Sequence, residues 1–384
     1  MNTPDLHNHS ISVGLEGPVV HRCKPGPWGE LEYYDTYLEA PDRLIRRLTI
    51  PSQQTVWHFE EMTVDLIGQV FEKVGFSTAQ IRQAMDGKRW SVSGDLIRIF
   101  PTFSLIESLS PSVRGKLYQV LARSELNTMH RYPIQFDGPD LSKVLDRSSL
   151  PESLVAQIES LTYREGQVAL FSDYPLLLRF LGHPEKERKL LRILTRTRTL
   201  IARMILDRKV DLTSLLDYWA PAQDNFDSRP LMESVLRTSG VDTIDIVQLF
   251  PPGARSQLFT YPTEDDCLSG RAPDGIWTAI NFFNHTALPV YEGTEGLKHH
   301  LLNRFRPASA PLRFGDLLLL SPEGESEELP FTHACIYIAD DLVYTKNSAQ
   351  LMAPWILSKL RDVASYHVRG ARATIRPYRM ASLC

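Results

Sequence analysis

The stretch THACIYIADDLVYTKNS, Thr332 to Ser348, sets an apolar run behind a histidine, turns at Asp340 and Asp341, and returns through a second apolar run to Lys346 and Asn347. Two short apolar runs flanking a polar turn read as an antiparallel hairpin. A core strand needs only apolar residues on its buried face, so His333 is either a hydrogen-bonded structural histidine or half of a reactive pair. Side chains alternate between the faces of a strand. A connection with an even number of residues therefore puts Lys346 and Ser348 on the face of His333, and an odd one puts Thr345 and Asn347 there.

Outward from the hairpin the pattern is one helix followed by strands: IWTAINFFN, then FGDLLLLS, the hairpin itself, ASYHVRG and ATIRPY. Helix first and antiparallel strands after reads as a small α+β domain over residues 251–384. The prolines and glycines of Leu249 to Gly275 mark its edge. Residues 61–250 read as mainly helical. Thr63 caps a stripe of Val64, Ile67, Val70, Phe71 and Val74 that stops at Gly75, and Ser110 with Pro111 opens another helix. Residues 1–60, rich in Pro, Gly and aromatics, read as irregular.

The segment PEKERKLLRILTRTRTLIARMILDRK reads as the longest helix, apolar along Leu190, Leu194, Ile201 and Ile205 and basic along Arg192, Arg196 and Arg203. Such a face seats an anionic partner, such as a protein, or lies on a membrane surface, or else is solvated and paired with acids elsewhere.

Chemistry needs a nucleophile. A cysteine attacks as its thiolate, and a neighbouring imidazolium with the positive end of a helix lowers its pKa from ~8.5. EDDCLSG places Cys267 before the helix IWTAINFF, and His333 opens a strand downstream. Pro273 and Gly275 interrupt the run between Cys267 and that helix. With Asp274 as N-cap, the residue at the helix start falls near Ile276 and Cys267 lies one loop upstream.

The segments RFGDLLLL and THACIYIADDLVYT resemble the strand pair of NlpC-like cysteine peptidases, a papain-like superfamily. In that family an Asp-Cys-Ser-Gly stretch opens the main helix, the first histidine of the strand pair is the base, and a polar residue about twelve positions on orients it. The resemblance, over Thr263 to Tyr378, implies His333 as base, Asp266-Cys267 as the nucleophile dipeptide and Thr345 at the third position, where the family has His, Asn or Gln. On the odd hairpin parity Asn347 is the amide suited to holding the imidazole tautomer. The implied activity is cleavage or transfer of an amide-linked acyl group on a short peptide or cell-wall-derived amide, with no cofactor or metal. The alternative is a non-catalytic scaffold on a degenerate site.

Other motifs weigh less. DLHNHS places His7 and His9 in a D-x-H-x-H metal pattern, but without a preceding apolar strand. The adjacent His299 and His300 point about 100° apart on a helix and do not share a ligand. Cys335 reads as a small core residue, Cys23 and Cys384 lack an activating helix, and His367 reads as a strand residue or a second imidazole near the site.

The 384 residues carry a net charge of -4, close to balance, which gives no case for a nucleic-acid partner. Four cysteines without C-x-x-C spacing fit a reducing compartment, and no run of about 18 apolar residues spans a bilayer. With no signal-peptide pattern at the start, the expectation is a cytoplasmic protein.

Overall fold

The computed structural model describes residues 18–48, 55–136, 141–145, 150–166, 168–206, 211–221, 228–263, 265–266, 273–284, 301, 303–324, 331–368 and 372–383. The architecture is mixed α+β, and its named strands pair antiparallel.

The hairpin lies inside a six-stranded sheet ordered Phe305–Pro307, Ala373–Met380, Leu317–Pro322, His333–Ala339, Leu342–Thr345, Ile356–Lys359. Every residue of His333–Ala339 is buried, because both faces of this sheet are covered. Cys335, Tyr337 and Val343 pack with Leu318, Leu320 and Val363 on one face. Ala334, Ile336 and Tyr344 pack with Trp277, Phe282 and Trp355 on the other. The turn closes with Asp340 in the left-handed region at φ 49°, a conformation Asp tolerates better than most residues. Register runs through Ile336↔Tyr344 and Tyr337↔Val343 and shifts at Ala339↔Leu342. The shift inserts one residue, so the connection is odd and Thr345 and Asn347 share the face of His333.

Upstream, the caps read from the sequence are present. Thr63 accepts from Leu66 N at the start of Val64–Val74, Gly75 ends that helix at φ 104°, and Ser110 caps Pro111–Leu121. Helices do not fill residues 61–250, however. Two three-stranded sheets, Trp57–Glu60 with Leu96–Ile99 and Trp90–Ser93, and Ile134–Phe136 with Val168–Phe171 and Tyr163–Glu165, share a core with them.

Three local expectations are corrected. The first segment is not irregular throughout: Glu30–Leu38 is a nine-residue strand paired along its whole length with Thr197–Ile205. Its alternation of buried Leu31 and Tyr33 with the outward Glu30 and Glu32 is a period of two. Second, the long basic helix does not exist. The helix Pro184–Leu194 ends with Thr195 Oγ1 donating to Leu191 O, and the β-branched TRTLIARMI continues as a strand. Arg192, Arg196 and Arg203 therefore do not share a helical face, and they ion-pair with Asp42, Glu39 and Glu32. Third, the start of ASYHVRG is not a strand: Ala364 to His367 are the end of the helix Leu360–His367.

The apolar side chains gather into two large cores. One joins Ala40 through Leu194; the other joins Trp28, Leu31 and Tyr33 to Leu200 and to residues as far as Leu357. The chain thus passes between cores around Thr195, ahead of the composition boundary at Leu249 to Gly275. Thr199 ties the sheets of the second core together, its Oγ1 donating to Leu357 O and accepting from Leu357 N. No described helix is long and apolar enough to cross a membrane.

Candidate functional site

His333 opens its strand with its side chain buried, and its Nε2 lies 2.7 Å from Thr345 Oγ1. The odd parity of the hairpin brings the hydroxyl there. Lys346, on the other parity, turns away: its Nζ donates to Ser348 O and Gln350 O and lies 5.7 Å from the Trp355 ring centroid. A second imidazole covers the flat side of the first. His367, the last residue of the helix Leu360–His367, stacks on His333 with centroids 3.6 Å apart and planes 8° apart. Burial, and then the neighbouring His367, hold His333 well below the usual histidine range, so the ring is neutral at physiological pH.

The remaining edge of the ring meets backbone. Asp274 caps the helix Gly275–Ile280, its carboxylate accepting from Ile276 N and Trp277 N at 3.0 Å. This brings Gly275 against His333. A Cβ on residue 275 would stand 2.0 Å from His333 Cε1, 2.7 Å from Nδ1 and 2.8 Å from Ala334 O. The imidazole is thus enclosed by Thr345, His367 and Gly275.

A base needs a proton donor in hydrogen-bond reach. Among the described residues no thiol bonds to His333. Cys335 is buried two residues along, its thiol pushed up by burial. Cys23 is pushed up to about 12 by burial, then by Asp340 and Asp341. Cys267 lies outside the described residues, as do Cys384, His7, His9, His299 and His300. The four expected site residues thus divide: His333 and Thr345 are in contact, Asn347 makes no bond to the ring, and Cys267 is not described. Among the described residues no cluster of His, Cys, Asp or Glu could hold a metal.

Beside His367 opens a cleft of about 640 Å3 between the two cores. Arg131, Tyr132 and Gln135 line it from one side, and Asn347, Tyr366 and His367 from the other. Two buried amide oxygens in this wall, Gln135 Oε1 and Asn347 Oδ1, have no hydrogen-bond partner among the described residues. Arg196 adds a second guanidinium, paired with Glu39, and the lining contains no Asp or Glu. Of these residues, the sequence reading singled out Asn347, His367 and Arg196. Arg131 and Gln135 carried no local signal, because the cleft forms only where segments some 200 residues apart converge. Gly275 did carry one: the N-cap of Asp274 sets where the helix begins.

No family model matches the chain, and neither a curated protein nor a solved structure does.

Proposed function

We propose that this protein is a non-catalytic binding protein, built on a papain-like C-terminal sheet whose nucleophile position has become glycine, and that it holds a short peptide in the cleft between its cores. The observation that carries this reading is the contact of Gly275 with His333. In the resembled family a cysteine at the start of the main helix faces the strand histidine, and here the residue in that relation has no side chain and no room for one. The lining of the cleft suits the ligand class: Arg196 is committed to Glu39, but Arg131, paired at 3.5 Å with the exposed Glu125, can exchange that partner for a free carboxylate, and the buried oxygens of Gln135 and Asn347 call for N–H donors such as peptide amides.

A second reading keeps the enzyme. In it Cys267 is the nucleophile, His333 the base, and Thr345 or Asn347 the orienter, acting on a short peptide or cell-wall-derived amide. The hydrogen bond between His333 Nε2 and Thr345 Oγ1 favours it, since that bond joins the base and third positions of the resembled family.

One experiment separates the two. The protein is incubated with short peptides bearing free carboxylates and with amide and thioester panels, and binding and turnover are read in parallel. The binding reading predicts saturable binding, weakened by Arg131→Gln, with no turnover above the Cys267→Ala and His333→Ala controls. Turnover lost in both controls overturns it.

A further inference from the structure

The two cores are joined through a pair of adjacent chain crossings. One core takes its buried residues from Ala40 through Leu194, with Tyr261 added; the other takes them from Trp28 to Tyr33 and again from Leu200 to Leu357. The first unit is therefore an insertion in the second, and the chain passes outward after Leu38 and back between Leu194 and Thr197. The two crossings lie side by side, because Leu38↔Thr197 is the final pair of the antiparallel ladder between Glu30–Leu38 and Thr197–Ile205. Just beyond that pair, Arg196 Nε donates to Glu39 Oε1 at 2.8 Å, so one crossing is tied to the other.

The other contacts between the units gather around this corner. Arg43 Nη2 donates to Pro262 O, and Tyr261 is buried in the first core near Thr197 and Glu39. Leu351 and Met352 reach the same core from the segment that Trp355 N ties to Thr260 O. Away from these contacts, among the described residues, no helix or strand of one unit packs along a helix or strand of the other. The cleft of about 640 Å3 lies between them instead, and the crossing residues Thr195, Arg196 and Thr197 form part of its lining. Units of one chain that share little apolar interface move relative to one another, and a few residues at element ends absorb the motion.

We propose that the inserted unit, between Glu39 and Thr195, swings about this paired crossing and that the swing opens and closes the cleft. Two neighbouring connections, tied by Arg196 and Glu39, let the unit bend toward the second core while resisting twist. Closure brings the wall of Arg131 and Tyr132 toward that of Asn347 and Tyr366, and so encloses whatever the cleft holds. The swing regulates the site proposed above, yet it exists without ligand, so its absence would leave peptide binding undecided and a failure to bind peptides would leave the swing standing.

The test uses the full chain with no ligand. Residual dipolar couplings of the backbone amides are measured in a weakly aligning medium, and an alignment tensor is fitted to each unit separately. A rigid molecule gives both units one tensor magnitude, whereas hinge motion on the microsecond-to-millisecond scale averages the couplings of the smaller unit. The inserted unit is expected to show the smaller magnitude. Glu39→Gln, which loosens the tie between the crossings at a half-exposed surface position, is expected to lower it further. Equal magnitudes in the native protein would overturn the proposal. A difference that Glu39→Gln leaves unchanged would overturn it too, since the pivot would then lie away from the paired crossing.

Discussion

His333 and His130 are both buried imidazoles that burial holds below the ordinary histidine range, yet their surroundings are opposite. His333 is enclosed: a hydroxyl on Nε2, a second ring on its face and a helix backbone on its edge. His130 packs its ring against Tyr118, with Nδ1 without a hydrogen-bond partner among the described residues. The first environment keeps the form of a reactive histidine while leaving it nothing described to activate. The second resembles no motif but retains unmet hydrogen-bonding capacity at a buried nitrogen.

The largest expected effect tests the His130 half of that contrast by acid. Burial, and then His58, push His130 down to about 3 from an unfolded value of about 6.5. Its neutral form therefore supports the fold above pH 6.5. That support is lost as pH falls through 3, by up to about 5 kcal/mol. His130→Gln is predicted to remove this contribution, so that the opposing contribution of Asp173 stands alone and chemical unfolding measured from pH 7 to pH 3.5 shows stability rising as pH falls through about 6. An unchanged slope would mean that the ring is solvated.

Asp173 works with the opposite sign. Burial raises it to about 6 against the lowering effects of Tyr118 and Arg114, so the folded state is penalised as pH rises from about 3.8 to 6. Asp173→Asn is expected to stabilise the protein by about 3 kcal/mol at pH 8 and by little at pH 4. Because the two groups oppose each other, the native protein's acid profile is flatter than that of either variant.

On the enclosed side, Gly275→Val drives a side chain into the His333 ring and Ala334 O. A loss of about 2 kcal/mol is predicted, read as a lower Tm. A smaller change follows from Thr345→Val, which leaves a buried imidazole nitrogen unbonded and costs about 1 kcal/mol. If Thr345→Val is neutral, the hydroxyl is a bystander to the imidazole.

What could be read from the sequence follows from how local each signal is. The hairpin around Asp340, the caps at Thr63, Ser110 and Asp274, and the glycine stop at Gly75 are set by residues within a turn of one another, and they form as their residue types dictate. The strand Glu30–Leu38 was hidden because its partner begins at Thr197, and the proline- and glycine-rich lead-in outweighed its short alternation. The arginine run misled for a related reason: helical spacing in TRTLIARMI competed with β-branched residues, and tertiary pairing with Glu30–Leu38 decided it. Of the site, His333 is legible as a polar residue opening an apolar strand, whereas the choice between Thr345 and Lys346 depends on a hairpin parity that the sequence leaves open and the shift at Ala339↔Leu342 sets. The closeness of Gly275 and the stack of His367 depend on how two helices cross the sheet, which no local pattern encodes.

The central claim is that His333 activates no thiol, and the most direct measurement is the rate of iodoacetamide modification of Cys267 against pH, with the label located by mass spectrometry. Cys267 is predicted to titrate as an ordinary thiol near ~8.5 and to react at the same rate in His333→Ala. Fast modification titrating well below that value, and abolished by His333→Ala, would contradict the account and restore a cysteine enzyme.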